Sequence, residues 1–245
     1  MHTKFTVTQE WICNQNADID TLVIIPSGRP NFSRRQRFRK SRIANFTKTN
    51  PRATFVFFLA GREVAEDFNL RWNKLRREMK SHKDIVMADF PDGYRRVVMK
   101  HVSMMNWVLQ YCPQADFLLR FDDDVELISG IEAALAAVQR HRQQRRNFIL
   151  GVQRVGDAPS REVGNSKNAV SREEYAPDMF PPYVLGGSLG CPVSTVRLLS
   201  EAARRIKPVW LDDVFITGIC ATALGIPTFN DVSFRFREVP DWSLS

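Results

Sequence analysis

Phe117-Leu118-Leu119-Arg120-Phe121-Asp122-Asp123-Asp124 is a short apolar run that stops on three adjacent carboxylates. Its length and composition read as a buried strand, with the aspartates at the carboxyl end. Side chains alternate along a strand, so Asp122 and Asp124 are expected to point one way and Asp123 the other. Two convergent carboxylates are half of a site for Mg²⁺ or Mn²⁺, hard ions that take oxygen ligands and complete their shell with water and substrate phosphates. The same triplet would also close a strand in a solvated turn, or cap a helix beginning near Ser129.

Outward from this run, short apolar stretches alternate with amphipathic ones. Leu22-Val23-Ile24-Ile25 is a strand ending at Pro26, and Ser33 is placed to cap a basic helix running to about Lys48. Thr54 to Leu59 is the next strand, with Gly61 as its breaker; Glu66 to Lys80 reads helical and Asp84 to Ala88 is a third strand. Tyr94 to Tyr111 carries Val98, Val102, Met105 and Leu109 at helical spacing, a core-facing stripe. A helix at Ile131 to His141 and a strand at Phe148 to Gly151 follow. This βαβα order predicts an α/β fold with a mostly parallel central sheet flanked by helices, whose ligands lie off the carboxyl ends of the strands. Residues 1–20 read as an N-terminal extension and 21–245 as one domain.

Beyond Gly151 the pattern changes. Gln153 to Asp178 is polar and aperiodic, as expected of a long functional loop. Gly186-Gly187-Ser188-Leu189-Gly190 would let backbone approach a ligand closely, or simply make a turn. Val193 to Ile206 is a helix stopped before Pro208, and another opens at Leu211-Asp212-Asp213-Val214-Phe215 and ends at Gly225. Paired aspartates at a helix start also suit capping and the helix dipole.

With 245 residues, 44% hydrophobic and 25% charged, the chain is long and apolar enough for a substantial core, which excludes disordered and fibrous classes. Its apolar stretches are too short to cross a bilayer, and no leader precedes them, so no membrane segment is expected. Cys13, Cys112, Cys191 and Cys220 lack zinc-type spacing and leave one or two disulfides open. Asn31-Phe32-Ser33 and Asn45-Phe46-Thr47 are glycosylation triplets, meaningful only in a secretory compartment. The net charge of +8, carried largely by arginine, points to an anionic partner without choosing among sugar nucleotide, nucleic acid and acidic membrane. For Arg140 to Arg146 a solvated helix end is sufficient explanation.

Taken together, the motifs resemble the β1,3-galactosyltransferase and β1,3-N-acetylglucosaminyltransferase family from about Leu22 to Pro227. The carriers are Arg34 to Ser41 (RRQRFRKS), Phe57 to Gly61 (FFLAG), Asp84 to Tyr94, Lys100, Trp107, Cys112-Pro113 and the aspartate triplet. Glu173-Glu174-Tyr175, Phe180 to Tyr183, Gly186, Asp212 to Phe215 and Gly218-Ile219-Cys220 complete the series. The resemblance implies a GT-A type nucleotide-sugar fold and an inverting, Mn²⁺-dependent transfer of galactose or N-acetylglucosamine from a UDP-sugar to a glycan hydroxyl in β1,3 linkage. It implies Asp213 as general base, with Asp212 beside it. Asp124 and Asp122 become metal-site residues, with Arg35, Arg39, Asp89, Lys100 and Asp123 around the nucleotide. Tyr183, Gly186, Gly187 and Asp212 then belong to the sugar pocket. Partners would be a UDP-sugar and a glycan, glycoprotein or glycolipid acceptor, with no nucleic acid, in the Golgi lumen.

The chain departs from that pattern at Arg42, where tryptophan is usual, and at Gly186-Gly187-Ser188-Leu189, where Gly-x-Gly-Tyr is common. Relatives often carry a histidine beyond the general-base helix, whereas His2, His82, His101 and His141 all precede Asp212. These departures motivate a catalytically silent sugar-binding relative as an alternative. Clustered acids with basic charge would also suit a Mg²⁺-dependent phosphoryl or nucleotidyl transferase, although no P-loop or kinase signature is present.

Overall fold

The computed structural model describes residues 3–13, 18–62, 68–162 and 168–239. Eight of its strands form one sheet in the order β1-β4-β3-β2-β5-β8-β7-β9. They are β1 (Phe5–Val7), β2 (Thr21–Pro26), β3 (Ala53–Arg62), β4 (Ile85–Pro91), β5 (Phe117–Phe121), β7 (Ile149–Arg154), β8 (Tyr183–Pro192) and β9 (Thr228–Asn230). Two short strands, β6 (Val125–Leu127) and β10 (Phe236–Glu238), pair separately. The central block β4-β3-β2-β5 is parallel, as is β7 with β9, while β1 and β8 run antiparallel to their neighbours. All five residues of β5 are buried, as an interior strand covered on both faces requires.

Helices cover both faces. One face packs α4 (Val97–Tyr111), α6 (Val193–Ala203) and a π-helical segment (Val214–Cys220) that runs into α7 (Ala221–Ala223), joined through Trp107, Val196 and Phe215. The other packs α1 (Phe32–Phe38), α2 (Arg42–Thr49), α3 (Phe68–His82) and α5 (Ile131–Gln144) through Phe38, Ala44, Leu75 and Val138. The mostly parallel sheet flanked by helices is therefore the one expected from the alternation of the sequence.

Several local readings are corrected. The basic helix expected from Ser33 to Lys48 is two helices, because Ser41 adopts an extended backbone and its hydroxyl caps the second by accepting the Ala44 N–H at 3.3 Å. Gly61 does not break β3; a Cβ there would stand 2.8 Å from the Ala88 carbonyl oxygen, so glycine is what lets β3 pass β4 so closely. Glu66, expected to open α3, lies outside the described residues, as do 163–167 of the long polar loop. Within 1–20, β1 forms the sheet's edge and Cys13 is disulfide-bonded to Cys112 at the end of α4. Gly186 and Gly187 lie inside β8 and not in a turn.

Candidate active site

The sheet topology brings the carboxyl ends of β2 and β5 side by side, and the aspartate triplet lies just past β5. Asp122 to Asp124 leave the strand in a turn, with the Asp122 N–H donating to Gly187 O at 3.1 Å. The alternation expected for a strand survives in effect: Asp122 and Asp124 are each 35% exposed, whereas Asp123 is 6% exposed. Asp123 Oδ2 accepts Ser27 Oγ at 2.6 Å and Asn31 Nδ2 at 2.9 Å, and its Oδ1 accepts Arg34 Nη1 at 3.2 Å. It therefore ties the triplet to the loop after β2. Asn31 of the first glycosylation triplet is engaged in the same contact.

A cleft of about 500 Å³ opens over this edge. It is lined by the triplet, by Asp212 and Asp213 from the start of the π-helical segment, and by Arg34, Lys100 and Arg120. Arg120 is the link between its two acidic halves. Its Nη2 lies 3.2 Å from Asp122 Oδ1 and its Nη1 3.0 Å from Asp212 Oδ2. A Cβ on Gly186 would stand 3.0 Å from Arg120 Nη1, so that glycine makes room for the guanidinium. Gly187 instead accommodates the Phe236 ring, 2.5 Å from where its Cβ would be. The two glycines expected in a sugar pocket are outside the cleft lining and make room for Arg120 and Phe236.

Asp212 is held a second time by His101, whose Nδ1 is 3.0 Å from Asp212 Oδ2. A carboxylate cannot donate, so Nδ1 carries the proton. Burial and then the charge of Arg120 lower the His101 pKa, so the ring is neutral at physiological pH. Burial alone would raise Asp212, but Arg120 and His101 outweigh it and hold this carboxyl well below the usual range. Its neighbour behaves oppositely. Burial, and then the charge of Asp212, push Asp213 up to about 6, opposed by the N–H groups of Val214 and Gly186. Asp213 Oδ1 accepts the Val214 N–H at 2.8 Å, and the Thr217 hydroxyl ties Asp213 O (2.7 Å) to Val184 O of β8 (3.0 Å). The unusual π-helical turn is thereby fixed to the sheet directly behind the acidic pair.

Other sequence candidates fall elsewhere. Arg35 is fully buried, with its Nε and Nη2 on Glu78 (2.9 and 2.7 Å) and its Nη1 on Gly28 O at 2.6 Å. Arg39 grips Asp84 with two nitrogens at 2.7 and 2.8 Å and Glu78 with a third at 2.8 Å. Both arginines brace α1 against α3 and the loop after β2, and neither lines the cleft. Asp89 lies beside β1, its N–H donating to Lys4 O at 2.8 Å, outside the cleft lining. Tyr183 is 8% exposed beneath the π-helical segment and donates to Asp157 Oδ2 at 2.8 Å, also outside the lining. Lys100 does face the cleft, with Nζ 2.8 Å from Asp92 and 3.2 Å from Ser27 O. Ser27, Arg34, His101 and Arg120 were not singled out as site residues from sequence. Two of them carried a signal, Arg34 as the first residue of the basic RRQRFRKS run and Arg120 as the one charge inside the β5 run.

The donor set suits a hard divalent cation. Burial first, and then the charges of Asp212, Asp124 and Asp123, push Asp122 up to about 7 despite Arg120, so the carboxyls crowd one another. Added positive charge would relieve that crowding. Among the described residues no three acidic, histidine or cysteine side chains converge as a ready-made metal cage. Asp122 and Asp124 therefore offer two carboxylates of a shell that water and phosphate oxygens would complete.

A mostly parallel sheet with an acidic cleft at the carboxyl end of its central strands defines the class, an α/β protein with its candidate site off the strand ends. The Galactosyltransferase family model matches residues 33–232, and the chain belongs to that family of glycosyltransferases. It is similar to UDP-GalNAc:beta-1,3-N-acetylgalactosaminyltransferase 1 of Rattus norvegicus, 27% identical over 239 residues that are 96% of this chain and 70% of that protein. It is also similar to Beta-1,3-galactosyltransferase 4 of Mus musculus, 33% identical over 177 residues, 62% of this chain and 47% of that protein. The chain thus spans from about half to about seven-tenths of these two relatives. Among solved structures, the WbbM bifunctional glycosyltransferase apo structure aligns with a TM-score of 0.46 at 12% identity, over 88% of this chain and 39% of that one.

Proposed function

We propose that this chain is an inverting hexosyltransferase that moves a sugar from a UDP-sugar donor to a glycan hydroxyl in β1,3 linkage. Galactose and N-acetylglucosamine are the donor sugars that its motifs favour, and the name of the rat relative adds N-acetylgalactosamine. The observation that carries the reading is the split pair: Asp212 is locked as a carboxylate by Arg120 and His101, while Asp213, one residue on, faces the same cleft as the triplet and titrates at about 6. A base of that strength is deprotonated at neutral pH yet basic enough to accept a hydroxyl proton.

In the reaction, the acceptor oxygen attacks the anomeric carbon as Asp213 takes its proton, and the bond from that carbon to the diphosphate oxygen breaks with its electron pair. A single displacement inverts the centre, so an α-linked donor yields a β-linked product. Lys100 and Arg34 present positive charge in the same cleft, and Arg120 fixes the spacing between the base's neighbour and Asp122. Mn²⁺ held by Asp122 and Asp124 would neutralise the charge gathering on the departing diphosphate. The Cys13–Cys112 disulfide supports an oxidising compartment, in keeping with the Golgi lumen as the working site. No helix among the described residues is long and apolar enough to cross a membrane. The test is UDP release from UDP-galactose, UDP-N-acetylglucosamine and UDP-N-acetylgalactosamine with Mn²⁺ and a panel of glycan acceptors, with Asp213→Asn as the control. Turnover no greater than the control's, or an α-linkage in product NMR, sinks the reading.

A further inference from the structure

We infer that Tyr94 is the platform on which the acceptor's sugar ring stacks, an inference that rests on the glycosyltransferase reading of the cleft. Tyr94 lines the cleft and is 53% exposed. An exposed aromatic ring ordinarily turns among rotamers, but this one is held at two points. Its hydroxyl donates to Asn168 Oδ1 at 2.7 Å, and its ring packs on Trp210 with centroids 5.3 Å apart. Trp210 is itself fixed: it is 7% exposed, its Nε1 donates to Ala169 O at 3.1 Å, and the Arg95 guanidinium lies 4.6 Å from its ring centroid. The outcome is a preorganised aromatic plate in a cleft lined both by charged groups and by Val97, Met104 and Leu211.

Its anchors decide which substrate it serves. Trp210 precedes Asp212 and Asp213 by two and three residues, and Asn168 and Ala169 belong to the long polar segment after β7. Both supports therefore come from the side of the proposed base, where the attacking hydroxyl must lie, and neither comes from β2, β3 or β4. A pyranose offers an apolar C–H face that matches an aromatic plate while its hydroxyls stay available to polar neighbours. The ligand class is thus a pyranose at the acceptor terminus, oriented with one hydroxyl toward Asp213.

The test is steady-state kinetics with both substrates varied, together with acceptor-free hydrolysis of the UDP-sugar as a reading of the donor site. Tyr94→Ala and Tyr94→Leu should raise the acceptor KM roughly 10-fold, the size of one lost stacking contact, with donor KM and hydrolysis unchanged. Tyr94→Phe, which keeps the ring and its packing on Trp210 but loses the Asn168 bond, should fall between wild type and the ring-less variants. A rise in donor KM would place the ring against the nucleoside and overturn the inference, as would unchanged acceptor KM in both ring-less variants. Wild-type hydrolysis of the donor separates this failure from failure of the transferase reading, since a chain that hydrolyses no UDP-sugar and transfers to no acceptor loses both.

Discussion

Two ionic networks lie on either side of the loop after β2, and they are built to opposite ends. In the first, Arg35 and Arg39 face Glu78 and Asp84, two cations against two anions, with nearly every polar atom answered at 2.6 to 3.2 Å. Burial alone would raise Glu78, but the two arginines leave its pKa below the ordinary value. In the second, five aspartates (122, 123, 124, 212 and 213) line a cleft with three cations, Arg34, Lys100 and Arg120. There burial first, and then the charge of neighbouring aspartates, push Asp122 and Asp213 upward. Balanced charge makes a brace; unbalanced charge held in place by the fold makes a site that gains from a positively charged ligand and from a proton-accepting role.

The sharpest break in that contrast is chemical. Asp213→Asn should lower kcat by about 10³-fold or more while donor binding, read by calorimetry, stays near wild type. Retained turnover would remove Asp213 from the reaction. In the brace, Glu78→Ala should cost about 3–5 kcal/mol of unfolding free energy, because it leaves Arg35 buried without its carboxylate partner, and a denaturant titration would read it. A loss under about 1 kcal/mol would make the brace no more than a surface pair.

The cleft should respond in the opposite sense. Asp122→Asn should stabilise the metal-free protein at pH 7.5 by roughly 1 kcal/mol, a figure kept small because water reaches the partly exposed carboxyl. The same substitution should abolish any rise in melting temperature on adding Mn²⁺. Stabilisation by Mn²⁺ that survives in both Asp122→Asn and Asp124→Asn would place the ion elsewhere.

The smallest effects are in pH. Asp122 and Asp213 have folded values of about 7 and about 6, above the ordinary 3.8, so the stability they contribute is complete below the unfolded value and is lost as pH rises through about 6 to 7. Metal-free protein should therefore unfold more readily at pH 8 than at pH 5 by this contribution, and Asp122→Asn combined with Asp213→Asn should flatten the difference. The acid limb of kcat/KM should fall with an apparent pKa near 6.

Much of the fold was legible because the sheet interior is written in unbroken apolar runs: β2, β4 and β5 lie within a few residues of their expected bounds. What was not legible depends on neighbours far along the chain. Gly61 and Gly186 look like breakers until Ala88 O and the Arg120 guanidinium are brought against them. That Arg35 and Arg39 pair with Glu78 of α3 could not be read from their own stretch. Ser41 looked like part of a continuous helix because its capping geometry is a backbone property. The acidic residues of the site could be read because three in a row at a strand end are unusual. Arg120 showed only as a lone charge within an apolar run, and His101 could not be read because it reaches Asp212 from 111 residues away.

The disulfide between Cys13 and Cys112, 99 residues apart, has a practical corollary. It fastens the segment that carries β1, the short ribbon shielding the open hydrogen-bonding edge of β4. In the chain-entropy picture, closing a loop of that length contributes on the order of 4 to 5 kcal/mol. Protein produced in a reducing bacterial cytoplasm would lack this staple, and the β1 segment, left with its strand pairing, the packing of Phe5 on Phe58 and Tyr111 and the Trp107 bond to Thr8 O, would peel away more readily. The bared β4 edge is then a template for neighbouring chains. Insoluble material from such hosts, and soluble material from oxidising ones, is the manufacturing behaviour this fold foretells.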